Sequence, residues 1–156
     1  MGKPLKLNKK TLEKLFGNGL ETLQTWAHKK GYDVDFDYLV RDEYRPADNL
    51  ITICTRYGKE KQLYALLHEC GHLILGKNES LYEKKYPSSA KMAYFQSNKK
   101  LERSHKYKID VISEEIDAWR KGQELAKRLD IYIDEEKYYS LMTKCVYSYV
   151  RHLART

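Results

Sequence analysis

Leu66-Leu67-His68-Glu69-Cys70-Gly71-His72-Leu73-Ile74-Leu75 is an apolar run with two imidazoles and one carboxylate set into it. Residues 61–75 as a whole carry Leu63, Leu66, Leu67, Cys70 and Ile74, flanked by Tyr64 and Ala65. That density of apolar side chains predicts a helix lying in the core, closed by Gly76-Lys77-Asn78. Histidines four residues apart share one face of a helix, about 40° apart around its axis. Both imidazoles can then reach one cation. The residue after the first histidine points about 100° away from it, which sets Glu69 beside the ion, where it can hold a water. This is the physical content of the His-Glu-x-x-His pattern. The competing reading is a pair of buried histidines hydrogen-bonded to neighbours, with Glu69 in a salt bridge. Three such groups in an apolar helix are costly unless they are paired or bind a metal. Gly71 leaves room for another backbone to come close.

A catalytic zinc takes three protein ligands and keeps an open position. No histidine follows Gly76 at short range; the next is His105. A carboxylate from another helix is the alternative source. Ser113-Glu114-Glu115-Ile116-Asp117-Ala118-Trp119 offers two, near the start of a helix expected from an Asp110 N-cap to about Leu129. Adjacent residues point about 100° apart, so only one of them faces the ion. Glu115 shares the apolar face with Ile112 and Trp119 and is the expected third ligand. Glu114 is the alternative, and both carboxylates also suit a solvated first turn that favours the helix dipole.

Outward from these segments, residues 33–39 alternate Val34, Phe36 and Tyr38 with aspartates, a half-buried strand pattern. Residues 50–55 are a short β-branched run after a turn at residues 45–49. Residues 11–30 read as a helix that Gly17-Asn18-Gly19 interrupts and Gly31 stops. A last helix starts at Asp134, and its Tyr138, Leu141, Met142, Cys145, Val146, Tyr149 and Leu153 recur at helical spacing, which reads as core. The expected fold class is α+β: one mainly helical, compact domain over residues 1–156, with a small sheet of two or three strands before the motif helix. Residues 78–106 lack clear periodicity. They hold Tyr82, Tyr86, Tyr94 and Phe95 among Lys84, Lys85, Lys91, Lys99, Lys100, Arg103 and Lys106. A stretch of this length is expected to be a lid or docking surface, favouring acidic protein segments or nucleic acid.

A chain of 156 residues supports one core. It has no apolar run long enough for a bilayer. Its first residues lack the apolar region of a signal peptide, and Lys6 stands where myristoylation needs Ser or Thr. Cys54, Cys70 and Cys145 form no paired spacing, which fits a reducing compartment. The expectation is a cytoplasmic protein without a membrane partner. A net charge of +7 is compatible with nucleic acid or an acidic partner and requires neither.

Over residues 48–127 the chain resembles a compact gluzincin, and most of all the ImmA/IrrE-type metallopeptidases of phages, mobile elements and stress regulators. The short strand before the motif helix matches, and Glu115-Ile116-Asp117-Ala118 matches the Glu-x-x-Ala of that family's ligand helix. The resemblance implies a zincin-like fold with Zn²⁺ on His68, His72 and Glu115. It implies Glu69 as the base and hydrolysis of peptide bonds in a protein substrate by a metal-activated water. Trp119 stands where the family often has Asp or Asn, and the interval between His72 and Glu115 is longer than in many members. A donor to the developing oxyanion is also needed. Tyr82, Tyr86, Tyr94, Tyr107, His105 and His152 are candidates that the sequence leaves unranked. Two other functions share the motif: a zinc-containing binding module without catalysis, and a hydrolase of non-peptide bonds.

Overall fold

The Leu-Ile-Thr-Ile-Cys run is apolar toward both of its faces and therefore takes the centre of a sheet. In the computed structural model, which describes residues 6–94 and 98–156, this run is β3 (Leu50–Cys54). β1 (Asp33–Asp37) pairs with it in parallel and β2 (Glu43–Arg45) antiparallel, giving the order β1-β3-β2. Ile51 and Ile53 are fully buried. β1 keeps its aspartates exposed and half-buries Val34 and Phe36, as the alternation requires of a strand with one wet face. β2 is too short for a period to reveal it. Residues 1–5, on which most of the leader reading rests, and Phe95 lie outside the described residues.

Among the described residues, seven α-helices complete the α+β fold: α1 (Lys9–Lys29), α2 (Lys59–Gly76), α3 (Glu79–Lys85), α4 (Pro87–Tyr94), α5 (Lys99–Glu102), α6 (His105–Arg128) and α7 (Glu135–Ala154). None of the helices among the described residues is long and apolar enough to cross a membrane. α1 runs unbroken through Gly17-Asn18-Gly19, because Gly19 serves packing and not a break. A Cβ there would stand 3.0 Å from the Ile131 side chain and 3.1 Å from that of Leu63.

Residues 78–94 and 98–104, where the sequence shows no clear periodicity, are mostly helical. They fold into α3, α4 and α5, which are too short, at 7, 8 and 4 residues, to display a repeat. Local caps start two of them: Asn78 accepts the N–H of Leu81, and Asn98 that of Leu101. α6 also begins earlier than the Asp110 cap implies, since Ser104 accepts the N–H of Tyr107. Asp110 instead reaches across to α4, where its Oδ2 accepts the free N–H groups of Ser88 (2.7 Å) and Ser89 (3.3 Å).

α2 lies at the centre and packs on α1, the sheet and, most extensively, α6. Its Leu63, Leu66, Leu67 and Cys70 are completely buried. The contact with α6 is a backbone contact at two points. A Cβ on Gly71 would fall inside the Ala118 carbonyl group, 2.7 Å from its carbon. A Cβ on Gly122 would meet the Leu67 carbonyl oxygen at 2.5 Å. Gly71 lies one turn beyond Leu67, and Gly122 one turn beyond Ala118. The two glycines therefore let the helices touch along a full turn. α7 is tied to this pair by tyrosines. The Tyr64 hydroxyl accepts the N–H of Asp134 at 2.8 Å, and the Tyr138 hydroxyl donates to the Trp119 carbonyl at 2.6 Å. Cys54 and Cys70 are buried free thiols, and Cys145 is half-buried.

Candidate metal centre

His68 and His72 sit on either side of Gly71, and Glu115 sits one turn before Ala118. The close crossing of α2 and α6 therefore carries the carboxylate onto the imidazoles. Glu115 Oε2 is 2.9 Å from His68 Nε2, and Oε1 is 3.1 Å from His72 Nε2. The two Nε2 atoms are 3.1 Å apart. Ligands about 2.0–2.1 Å from a tetrahedral ion stand roughly 3.3 Å from one another. These three side chains thus have the spacing of a closed half-shell around one small cation. They form the candidate metal-binding triad among the described residues. Glu115, the expected third ligand, joins the cluster, and the alternative, Glu114, does not.

Electrostatics agree with the geometry. Burial alone lowers the basicity of His72, but the Glu114 and Glu115 carboxylates outweigh it and lift the imidazole to about 10. Burial likewise pulls His68 down, and Glu115 and Glu69 more than reverse it. Burial would raise Glu115, yet its bonds to His68 and His72 hold it at about 2. The pocket is therefore built to surround positive charge. Nitrogen and carboxylate donors in this combination suit a divalent transition-metal ion.

Glu69 is 7% exposed and places Oε1 3.3 Å from His68 Nδ1. It does not belong to the converging set, and it lines a cleft of about 710 Å³ that opens over His68 and His72. Glu114 turns the other way. Its Oε1 is 3.4 Å from His72 Nδ1, and its Oε2 accepts a hydrogen bond from the Tyr82 hydroxyl at 2.8 Å. Trp119 stacks on the His68 ring, with centroids 4.4 Å apart and planes 9° from parallel. The position thus fixes the imidazole by its face instead of by a carboxylate.

Of the six hydroxyl and imidazole candidates for an oxyanion donor, only Tyr82 lines this cleft. Tyr86 donates to Asp117 at 2.6 Å, and Tyr94 donates to Glu83 at 3.0 Å. His105 lines a separate depression beside Pro87, and His152 is exposed near the end of α7. A further hydroxyl in the cleft belongs to a residue that was read as core: Tyr149 of α7. It is 39% exposed and shares the cleft with His68, Glu69 and His72. Burial and the charges of Glu115 and Glu69 raise its pKa and keep the hydroxyl protonated. Its spacing on α7 is the same as that of buried Tyr138, so nothing in the sequence separates the two.

Asp42 was also not singled out. It lines the cleft, accepts the N–H of Cys54 at 2.8 Å, and has its pKa raised by burial and by nearby Glu69. It lies in a loop with no pattern of its own. Comparison of the chain with protein-family models, curated proteins and solved structures gives no match, so the site stands on its own geometry.

Proposed function

We propose that this protein is a zinc-dependent metallopeptidase of the gluzincin kind, related to the ImmA/IrrE type, that hydrolyses peptide bonds of a cytoplasmic protein substrate. The observation that carries the reading is the convergence of His68, His72 and Glu115, with the two histidines lining a cleft in which Glu69 stands outside the ligand set. Zn²⁺ held there would act as a Lewis acid and lower the pKa of a water to about 7. Glu69 accepts a proton from the attacking water and passes it to the leaving amine, so that the carbonyl carbon gains an oxygen as its bond to nitrogen breaks. The Tyr149 hydroxyl donates to the carbonyl oxygen as negative charge develops on it. β2 is an edge strand, and Glu43 and Tyr44 on it line the cleft. An extended peptide can pair with such an edge by backbone hydrogen bonds. Exposed Lys84 and Lys91 on α3 and α4 suit an acidic protein segment or nucleic acid as a docking partner.

Metal analysis of purified protein is expected to find stoichiometric Zn²⁺. His68→Ala and Glu115→Ala should lose it, while Glu114→Ala should retain it with weaker affinity. Retention by Glu115→Ala together with loss in Glu114→Ala would overturn the ligand assignment. The zinc-loaded protein should also cleave members of a mixed peptide library and stop when a chelator is added. Cleavage that persists in the stripped protein would sink the metallopeptidase reading.

Tyr149→Phe removes only the donor. It is expected to lower kcat by roughly 10²–10³, as loss of one oxyanion donor does, with KM and zinc content near wild type. An unchanged kcat would assign the oxyanion contact to another group.

A further inference from the structure

α3, α4 and α5 are not accounted for by the zinc motif, yet one of them reaches the site. Tyr82 on α3 and Tyr86, the residue that caps its C-terminus, lie one turn apart, with rings 5.1 Å from centroid to centroid. Each donates to a carboxylate of α6: Tyr82 to Glu114 at 2.8 Å and Tyr86 to Asp117 at 2.6 Å. Lys85 adds a contact to Asp117 at 3.0 Å. Glu114 and Asp117 flank Glu115 along α6, so α3 grips the ligand helix on both sides of its ligand.

The two grips differ in what lies behind them. Behind Glu114 is the Nδ1 of His72, 3.4 Å away, while the Nε2 of the same ring faces Glu115 and His68. An imidazole whose Nδ1–H is held by a carboxylate presents its lone pair at Nε2, in one tautomer and one orientation. The Glu114 side chain is 21% exposed and has a route to solvent if nothing holds it. The Tyr82 hydroxyl is the group that holds its other oxygen.

We propose that Tyr82 is a positioning residue for the metal centre: through Glu114 it fixes His72 with Nε2 directed at the ion, and α3 thereby forms part of the metal site. This rests on the metal-binding reading above and adds to it a role for α3. α3 has a structural task beyond any docking function.

The test is Zn²⁺ affinity, measured by chelator competition on the full chain, for wild type, Tyr82→Phe, Tyr86→Phe, Glu114→Ala and the Tyr82→Phe/Glu114→Ala double variant. Tyr82→Phe keeps the ring and its packing on Tyr86. Its affinity is expected to fall roughly 10–100-fold, the usual effect of losing a partner behind a ligand histidine. The double variant should bind no more weakly than Glu114→Ala alone, because Tyr82 acts through Glu114. Tyr86→Phe loses a comparable bond to Asp117, which does not face His72, and should bind as wild type does. Co²⁺-loaded Tyr82→Phe should show a shifted ligand-field spectrum that Tyr86→Phe does not share. Wild-type affinity in Tyr82→Phe, or losses that add in the double variant, would overturn the role of Tyr82 while leaving the metal site intact. Equal losses in Tyr82→Phe and Tyr86→Phe would reduce it to general support of the fold. If wild type itself binds no metal, the metal-binding reading and this inference fail together.

Discussion

Glu69→Gln is expected to reduce peptide hydrolysis by roughly 10²–10⁴, the range that a positioned general base contributes, while Zn²⁺ remains bound at wild-type stoichiometry. The amide has the shape of the carboxylate and cannot accept the proton of water. The metal is expected to stay because Glu69 lies outside the converging set of His68, His72 and Glu115. Its contact is instead with the far nitrogen of His68, at 3.3 Å. The measurement pairs kcat/KM on a cleaved peptide with metal analysis of the same preparation. Loss of metal along with activity would make Glu69 a support for His68, and the base would have to be sought elsewhere in the cleft, with Asp42, another carboxylate that lines it, a group to examine. Survival of the biological function in Glu69→Gln would favour the other class of protein that this motif serves, a zinc-containing module that binds a partner without cleaving it.

Gly71→Ala is the substitution with the largest expected effect on the fold. The added methyl group would meet the Ala118 carbonyl carbon at 2.7 Å and its Cα at 3.0 Å. These are backbone atoms of a helix and cannot rotate aside. Overpacking a core typically costs about 1–3 kcal/mol, and with backbone on the far side the expected loss is about 3 kcal/mol or more. Any relief comes from moving α6 away from α2, which also withdraws Glu115 from His68 and His72. Urea melts should therefore report destabilisation, and chelator competition should report weakened metal binding. Gly122→Ala is expected to behave alike, since its Cβ would stand 2.5 Å from the Leu67 oxygen and 2.7 Å from the Tyr138 hydroxyl. Gly58→Ala, with nothing within 4 Å, is the control and should cost at most about 1 kcal/mol as a helix N-cap change. A Gly71→Ala protein that melts like wild type would mean that the crossing has slack, and that the ligand spacing is held by something else.

These two experiments separate two kinds of information in the chain. Glu69 was legible because its relation to His68 and His72 is local: three positions on one helix, with directions set by 3.6 residues per turn. Glu115 was legible for a related reason. The apolar face of its own helix shows which of two neighbouring carboxylates turns inward. Gly71 was legible as a place where a backbone could approach, though not which backbone. The α+β class followed from the alternation in β1, the β-branched run of β3 and the apolar density of α2. Boundaries were less legible. Ser104 and Asp110 are both good caps, and only the packing of α4 against α6 shows that Asp110 caps a neighbour instead of its own helix.

The sequence by itself determined the elements and the directions of side chains within each of them: a buried helix with two imidazoles on one face, a carboxylate beside them, and a second helix with Glu115 on its apolar side. The tertiary structure decided what stands opposite. Glu114 faces Tyr82 and His72, Asp42 comes out of a patternless loop into the cleft, and Tyr149 opens onto the cleft while Tyr138, on the same helical stripe, is buried against Trp119. The physical reason is that periodicity describes a side chain's angle around its own axis. Whether that angle meets packed carbon, a ligand or water depends on where the other helices lie, and their placement rests on contacts between residues far apart in the chain, such as the paired glycines of α2 and α6.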